Sequence, residues 1–336
     1  MKATNYKRGF ILMNTGAPIS TQEVDQQRYL KEVSKDHHVA DLPYALDIAV
    51  HPHRATQRST ACKAIWTEEG SPLIHSCKRI RNALRKRLGA PVEIGMVCGS
   101  PSVARAIGKL LDAQVDEIGV LPLFPQYSTE TFEACTNKVD RELRRRKSRV
   151  VMRTVPHFYS HPAYVGPLAE ELIGVKEHIL FSYRGLSLHH LTKPDKHGHC
   201  LSSMTCCCEP SAVHRTCYRF QCLKSTRLIA KAANLPDTGY SVSFQSHHGP
   251  VQCIEPYTED VLKQLPQHGY TQVAVICPSN FCDCVETLEG IEIRGKEIFM
   301  DAGGESFRMI HGLNDREAGI QCLESLINTS NNWQPA

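Results

Sequence analysis

The sequence predicts an α/β protein made of two doubly wound units, on three observations. Short apolar runs of strand length alternate with helix-length amphipathic stretches along most of the 336 residues, as parallel strands joined by crossover helices do. The alternation is interrupted near Val150 and then repeats, as two units with separate cores would. Hydrophobic residues at 41% and charged residues at 22% are those of a globular chain and exclude disordered and fibrous classes.

The first strand is Phe10 to Met13, ended by Asn14, Thr15, Gly16 and Pro18, residues that stop strands and open turns. Val24, Tyr29, Leu30 and Val33 recur at helical spacing after a Thr21 cap, so a helix is expected from Thr21 to Val33. Pro43 to Arg54 is irregular. From Ser71 the alternation is clear: helix Leu73–Leu88, strand Val92–Val97, helix Ser102–Leu111, strand Glu117–Leu123 and helix Phe132–Arg146.

Val150–Val155 leads into the second unit. There the expected order is helix Ala163–Ile173, strand His178–Ser182, helix Tyr218–Ala233, strand Tyr240–Phe244, helix Glu259–Leu265, strand Thr271–Cys277 and helix Val285–Met300. A Gly303-Gly304 turn precedes Phe307–Ile310 and a last helix, Arg316–Ile327, of the kind that packs back on the first unit. In such folds ligands bind beyond the carboxyl ends of the strands. The tip of the strand at His178, with Ser182, Tyr183 and Arg184, is therefore a candidate site.

A formal charge of +4 and one basic run, Arg144 to Lys147 at a helix end, fit a solvated helix terminus and give nucleic-acid binding no support. No apolar run reaches the roughly 18 residues of a membrane span. The opening residues lack the apolar core of a signal peptide, and a cytoplasmic protein is expected. Six of fifteen cysteines fall between positions 200 and 222, a clustering that burial alone does not account for.

Eight segments in order carry a family resemblance: NTGAP at Asn14, IWTEEGSPL at Ile65, LPLFPQYS at Leu121, LFSYRGL at Leu180, SVSFQS at Ser241, EPYTED at Glu255, CPSNFCDCVETLEG at Cys277 and AGGESF at Ala302. Together they resemble ferrochelatase along nearly the whole chain. GHC at Gly198, CCCEPSAVH at Cys206 and CYRFQC at Cys217 resemble bacterial members with an internal cysteine-rich insert. The resemblance implies two similar Rossmann-like chelatase domains, each a four-stranded parallel sheet flanked by helices, with a porphyrin cleft between them. The halves are expected at 1–155 and 156–305, with the insert at 198–222 and a closing segment at 306–336. It also implies a lyase of haem biosynthesis that places ferrous iron in protoporphyrin or coproporphyrin, in the cytoplasm or peripherally at the inner membrane.

Metal insertion needs a group that takes pyrrole protons and one that binds a divalent cation, work suited to imidazole and carboxylate. Where the family usually has histidine, this chain has Arg184, which stays protonated and accepts nothing. Impaired insertion is the expectation, and a non-catalytic porphyrin or haem binder derived from the family is the alternative. Glu286 and Glu289 are three residues apart and share a helical face; with Asp283 they match the family's acidic line to the porphyrin centre, with Glu286 the catalytic candidate. Substrate-contact positions carried over are Thr15, Val97, Cys98, Tyr127, Ser128, Cys253 and Tyr257. Several lack the family's usual aromatic or cationic residue, a loss of about 1 to 3 kcal/mol per aromatic. His247 and His248, adjacent after a strand, are further candidates for proton or metal contacts.

In the insert, four thiolates could hold zinc or an iron–sulfur cluster, with no metal as the further alternative, although the spacing is not a standard zinc pattern. The resemblance favours a two-iron two-sulfur (2Fe-2S) cluster on Cys207, Cys217 and Cys222 with Cys200 or Cys206 as fourth ligand, leaving Cys208 surplus. Cys277, Cys282 and Cys284 read as packing residues.

Overall fold

A computed structural model describes residues 7–36, 53–203, 205–245, 252–329 and 333–335. His247 and His248 lie outside these residues. The first sheet has β1 (Arg8–Asn14), β2 (Val92–Met96), β3 (Glu117–Pro122) and β4 (Val151–Thr154), parallel and in the order β2-β1-β3-β4. The second has β5 (His178–Tyr183), β6 (Tyr240–Phe244), β7 (Gln272–Ile276) and β8 (Ser306–Ile310), parallel and in the order β6-β5-β7-β8. Each half therefore winds outward from its own first strand to one side and then to the other. A short antiparallel strand, β9 (Gln334–Pro335), adds a fifth member beside β4.

Helices cover both sheets: α1 (Glu23–Lys35), α2 (His53–Ile65), α3 (Pro72–Leu88), α4 (Val103–Asp112), α5 (Ala134–Arg145), α6 (Pro162–Glu170), α7 (Leu188–Thr192), α8 (Tyr218–Ala232) and α9 (Thr258–Gln264). Next, α10 (Val285–Thr287) runs through a π-helical stretch, Leu288–Ile293, into α11 (Arg294–Asp301), and α12 (Glu317–Asn328) follows. Strands covered on both faces read as continuous apolar runs; accordingly Ile11, Leu12 and Met13 of β1 and Leu180 and Phe181 of β5 have no exposed surface.

Some local expectations change. The first helix begins at Glu23, with Gln22 at its cap position and no side-chain cap bond. Val24, expected on its inner face, is 60% exposed, and Gln26 is buried instead. Its Nε2 donates to the Ser20 carbonyl at 2.9 Å, so a polar residue is admitted because its amide is satisfied. The irregular stretch after Pro43 ends in a helix, α2, whose weak amphipathic pattern hides it. Phe307–Ile310 belongs to a strand, β8.

The end of the chain lies on the first half. Arg87 of α3 bridges Glu317 at 2.5 Å and Glu324 at 3.0 Å on α12. Trp333 meets Phe10 edge-on at 6.0 Å. It occupies the space above Gly119, where an added Cβ would come within 2.3 Å of the indole.

Candidate active site

The two halves place their first-strand tips together. Thr15 follows β1 and Arg184 follows β5, and both line one cleft of about 630 Å3 between the halves. The tip of β1 turns through Gly16, with φ +106°, where a Cβ would meet the Cys98 carbonyl at 1.9 Å. Only glycine allows that approach. The other walls come from α1, α2, the loop after β3, α9 and the segment from Val285 to Gly295.

Charges in the cleft are paired across elements. Arg184 Nε lies 3.9 Å from Glu130 Oε2, and Arg58 Nη1 lies 3.8 Å from Glu286 Oε1. Arg294 pairs with Glu259 and lies 3.9 Å from Glu289. Arg58 also covers the Tyr29 ring at 4.9 Å, a cation–π contact that fixes its guanidinium. Burial pushes the Glu286 carboxyl up, but the Arg58 and Arg184 charges and the Cys284 contact outweigh it and hold it below its ordinary value. Its side chain remains 37% exposed to the cleft, an ionised carboxylate open to a cation.

Asp283 is placed differently. It is buried beneath the cleft wall, accepting from Asn314 Nδ2 at 2.6 Å and Thr287 Oγ1 at 3.1 Å, with His311 Nδ1 at 3.1 Å. Burial raises its carboxyl, yet the His311 and Asn314 contacts bring it below its ordinary value. It precedes α10, so the loop and not helical phase sets its direction.

The remaining positions do not line this cleft. Val97 and Cys98 are buried in the first core, their N–H groups bonded to the Asn14 and Thr15 carbonyls. Tyr127 donates from its hydroxyl to Glu133 Oε2 at 2.7 Å, and from its N–H to Gln221 Oε1 of α8 at 2.7 Å. Ser128 caps the π-helical stretch Thr129–Glu133 through Thr131. Cys253 is buried opposite Ser187. Tyr257 stands at the cap position of α9, one residue before Thr258, which does line the cleft.

Sequence reading passed over Arg54, Arg58, Glu130 and His190. Arg54 and Arg58 are four apart on α2, a spacing that puts them on one face, but the helix itself was not legible. Glu130 and His190 meet only through folding: His190 Nε2 is 3.8 Å from Glu130 Oε1, and its Nδ1 is 2.6 Å from Thr129 Oγ1.

The insert packs against α8, its buried cysteines continuous with the main core. Cys200, Cys206, Cys207, Cys217 and Cys222 are buried and Cys208 is exposed. The Cys206 and Cys207 sulfurs are 4.0 Å apart. A hydrogen bond with the Cys200 thiol pushes Cys217 up to about 12, with burial adding and the Cys207 contact opposing. Cys207 rises further through its bond to Cys217 and burial, and Cys222 through burial first and then the nearby Cys217 and Cys207. Among the described residues, no three His, Cys, Asp or Glu side chains enclose an ion as they stand.

Two parallel four-stranded units facing a common cleft define a chelatase fold. The chain resembles the sirohydrochlorin chelatase SirB of Bacillus subtilis solved with Fe3+ at a TM-score of 0.53, covering 97% of this chain and 96% of SirB at 9% identity. SirB in complex with cobalt, from Bacillus subtilis subspecies spizizenii, gives a TM-score of 0.55 at the same identity and coverage. A family model described as Ferrochelatase matches residues 7–331. The ferrochelatase of Opitutus terrae is 37% identical over 335 residues, 96% of this chain and 97% of that protein. That of Pseudomonas fluorescens is 38% identical over 327 residues, 94% and 96% of the two chains. The chain belongs to the ferrochelatase family. Among the described residues no helix is long and apolar enough to cross a membrane.

Proposed function

We propose that the protein inserts ferrous iron into a porphyrin, protoporphyrin or coproporphyrin, in haem biosynthesis. The observation that carries this reading is the ionised, cleft-facing Glu286 opposite the β5 tip in a chain of this family. A cleft of about 630 Å3 is of small-ligand size. Ferrous iron, the second substrate, is attracted to Glu286 and Glu289, whose partners Arg58 and Arg294 are close enough to balance the two carboxylates and far enough to yield to a cation. Arg184, at the place of the family's usual histidine, takes no proton, and insertion is slower than it would be with an imidazole there.

Mixing the purified protein with protoporphyrin and ferrous or zinc ion, without oxygen, and following the loss of free-porphyrin fluorescence tests the reading. Insertion faster than the protein-free control is expected, and Arg184→His is expected to raise it. Turnover at the control rate together with tight porphyrin binding would establish the non-catalytic binder.

The insert, in the same proposal, holds a two-iron two-sulfur cluster on Cys207, Cys217 and Cys222 with Cys200 or Cys206. What supports this is the mutual contact of soft, buried thiols, ligands of the kind such clusters take. When bound, such a cluster would cross-link the insert, and these thiols would supply its ligands by losing their protons. Anaerobically prepared protein should carry iron and acid-labile sulfide in equal amounts with a visible chromophore, and the lack of all three would defeat this assignment.

A further inference from the structure

Arg184 leaves the cleft without an imidazole at the β5 tip, yet pyrrole protons still have to go somewhere. The loop after β3 supplies an unusual neighbour. The π-helical stretch Thr129–Glu133 begins with three consecutive buried residues, Thr129, Glu130 and Thr131, at 2%, 4% and 3% exposure. Its middle member is a carboxylate that lines the cleft beside Arg184. Burying a carboxylate is costly unless it is compensated. Here the Arg184 guanidinium, 3.9 Å from one oxygen, supplies the compensation, while His190 Nε2 lies 3.8 Å from the other.

We propose that Glu130, backed by His190, is the proton-accepting group of this cleft, in place of the imidazole that Arg184 displaces. The proposal rests on the insertion activity proposed above. Arg184 then has a defined part: it keeps Glu130 ionised before the porphyrin arrives. The two carboxylates have separate work, Glu286 toward the cation and Glu130 toward protons, each set by its own partner. Thr129 fixes the imidazole; in the tautomer whose Nδ1–H donates to Thr129 Oγ1, Nε2 turns its lone pair to Glu130.

The step balances. As a divalent cation enters, each pyrrole N–H bond breaks with its electron pair left on nitrogen for the metal. The proton forms an O–H bond on Glu130 and passes to His190 Nε2, which frees the carboxylate for the second proton; both reach water during turnover. Among the described residues, the other charged groups around the cleft are Arg54 and Arg58 from α2 and Glu286, Glu289, Glu259 and Arg294 from the second half. Each of Arg58, Glu286, Glu289, Glu259 and Arg294 is paired with another of these groups.

The test compares the full-length protein with Glu130→Gln, using protoporphyrin and zinc ion and reading kcat, KM and porphyrin affinity. A fall in kcat of about 100-fold is expected, the usual scale for losing a positioned base, with KM and porphyrin affinity within about threefold. Adding Arg184→His to Glu130→Gln should recover about tenfold or more, because an imidazole is restored at the same cleft. His190→Gln gives the same reading should the Glu130 variant bind porphyrin poorly through misfolding: its kcat should fall while affinity holds. Glu130→Gln or His190→Gln turning over within about twofold of an active wild type would overturn the assignment, as would a Glu130→Gln loss that Arg184→His leaves unrecovered while porphyrin binding is normal. A wild type no faster than the protein-free control would overturn the insertion reading itself, and this one with it, and is recognised without any variant.

Discussion

In the cleft, Arg184 lies 3.9 Å from Glu130 and Arg58 lies 3.8 Å from Glu286, so opposite charges from distant elements stand close without locking together. In the insert, the Cys217 thiol bonds to those of Cys200 and Cys207, all three buried. The cleft gathers its groups from five or more segments; the insert gathers its own from one. Long ion pairs rearrange more readily than short ones when a cation arrives, whereas buried thiols ionise only with a metal to bind them. The first arrangement suits turnover and the second suits permanence.

The largest effect that would sharpen this contrast is expected at Glu286. Glu286→Gln should lower metal insertion by about 100- to 1,000-fold, the scale of removing a preorganised charge; an initial rate near wild type would break the assignment of the cleft. Asp283, only three residues earlier, should behave as part of the scaffold. Asp283→Ala leaves Asn314 and His311 without their acceptor and should cost about 3 kcal/mol in urea unfolding. Little change in stability would mean that this carboxylate is not held as its contacts imply.

The same pair gives stability a pH dependence. The Asp283 carboxyl is held below its ordinary value, so its contribution is present above roughly pH 4 and is lost as pH falls through the lowered folded value. His311 is raised by its hydrogen bond to Asp283, so its contribution is present below roughly pH 6.5 and is lost as pH rises through the raised folded value. Both act together between about pH 4 and 6.5. Unfolding midpoints across this range should show a maximum there that Asp283→Asn flattens.

For the insert, Cys207→Ser should abolish bound iron and sulfide and cost about 1 to 2 kcal/mol through a poorly matched buried hydroxyl. Full retention of iron would remove Cys207 from the ligand set. The smallest effect is expected at Tyr127, where Tyr127→Phe removes the bond to Glu133 and should cost about 1 kcal/mol, with insertion unchanged. A large loss of insertion would bring Tyr127 into contact with substrate.

Much of the fold was legible because strand and helix periodicity is local. The apolar runs beginning at Phe10, Val92, Glu117, His178 and Tyr240 lie in strands, and the run from Thr271 contains the strand Gln272–Ile276. What escaped is what weak amphipathicity or altered backbone spacing conceals: α2 and the two π-helical stretches. Site residues divide in the same way. Glu286 and Glu289 share a face by their spacing, while Glu130 and His190 are sixty residues apart, and no local pattern joins them.

The order of residues alone thus settled two successive α/β units, the family and the segment where thiols concentrate, since each of these is written in neighbouring positions. Folding alone decided that Asp283 turns inward while Glu286 faces the cleft, and that Arg184 answers to Glu130. Those outcomes depend on where the β1, β3 and β5 ends converge, and side-chain direction at a strand tip is set by the elements packed around it.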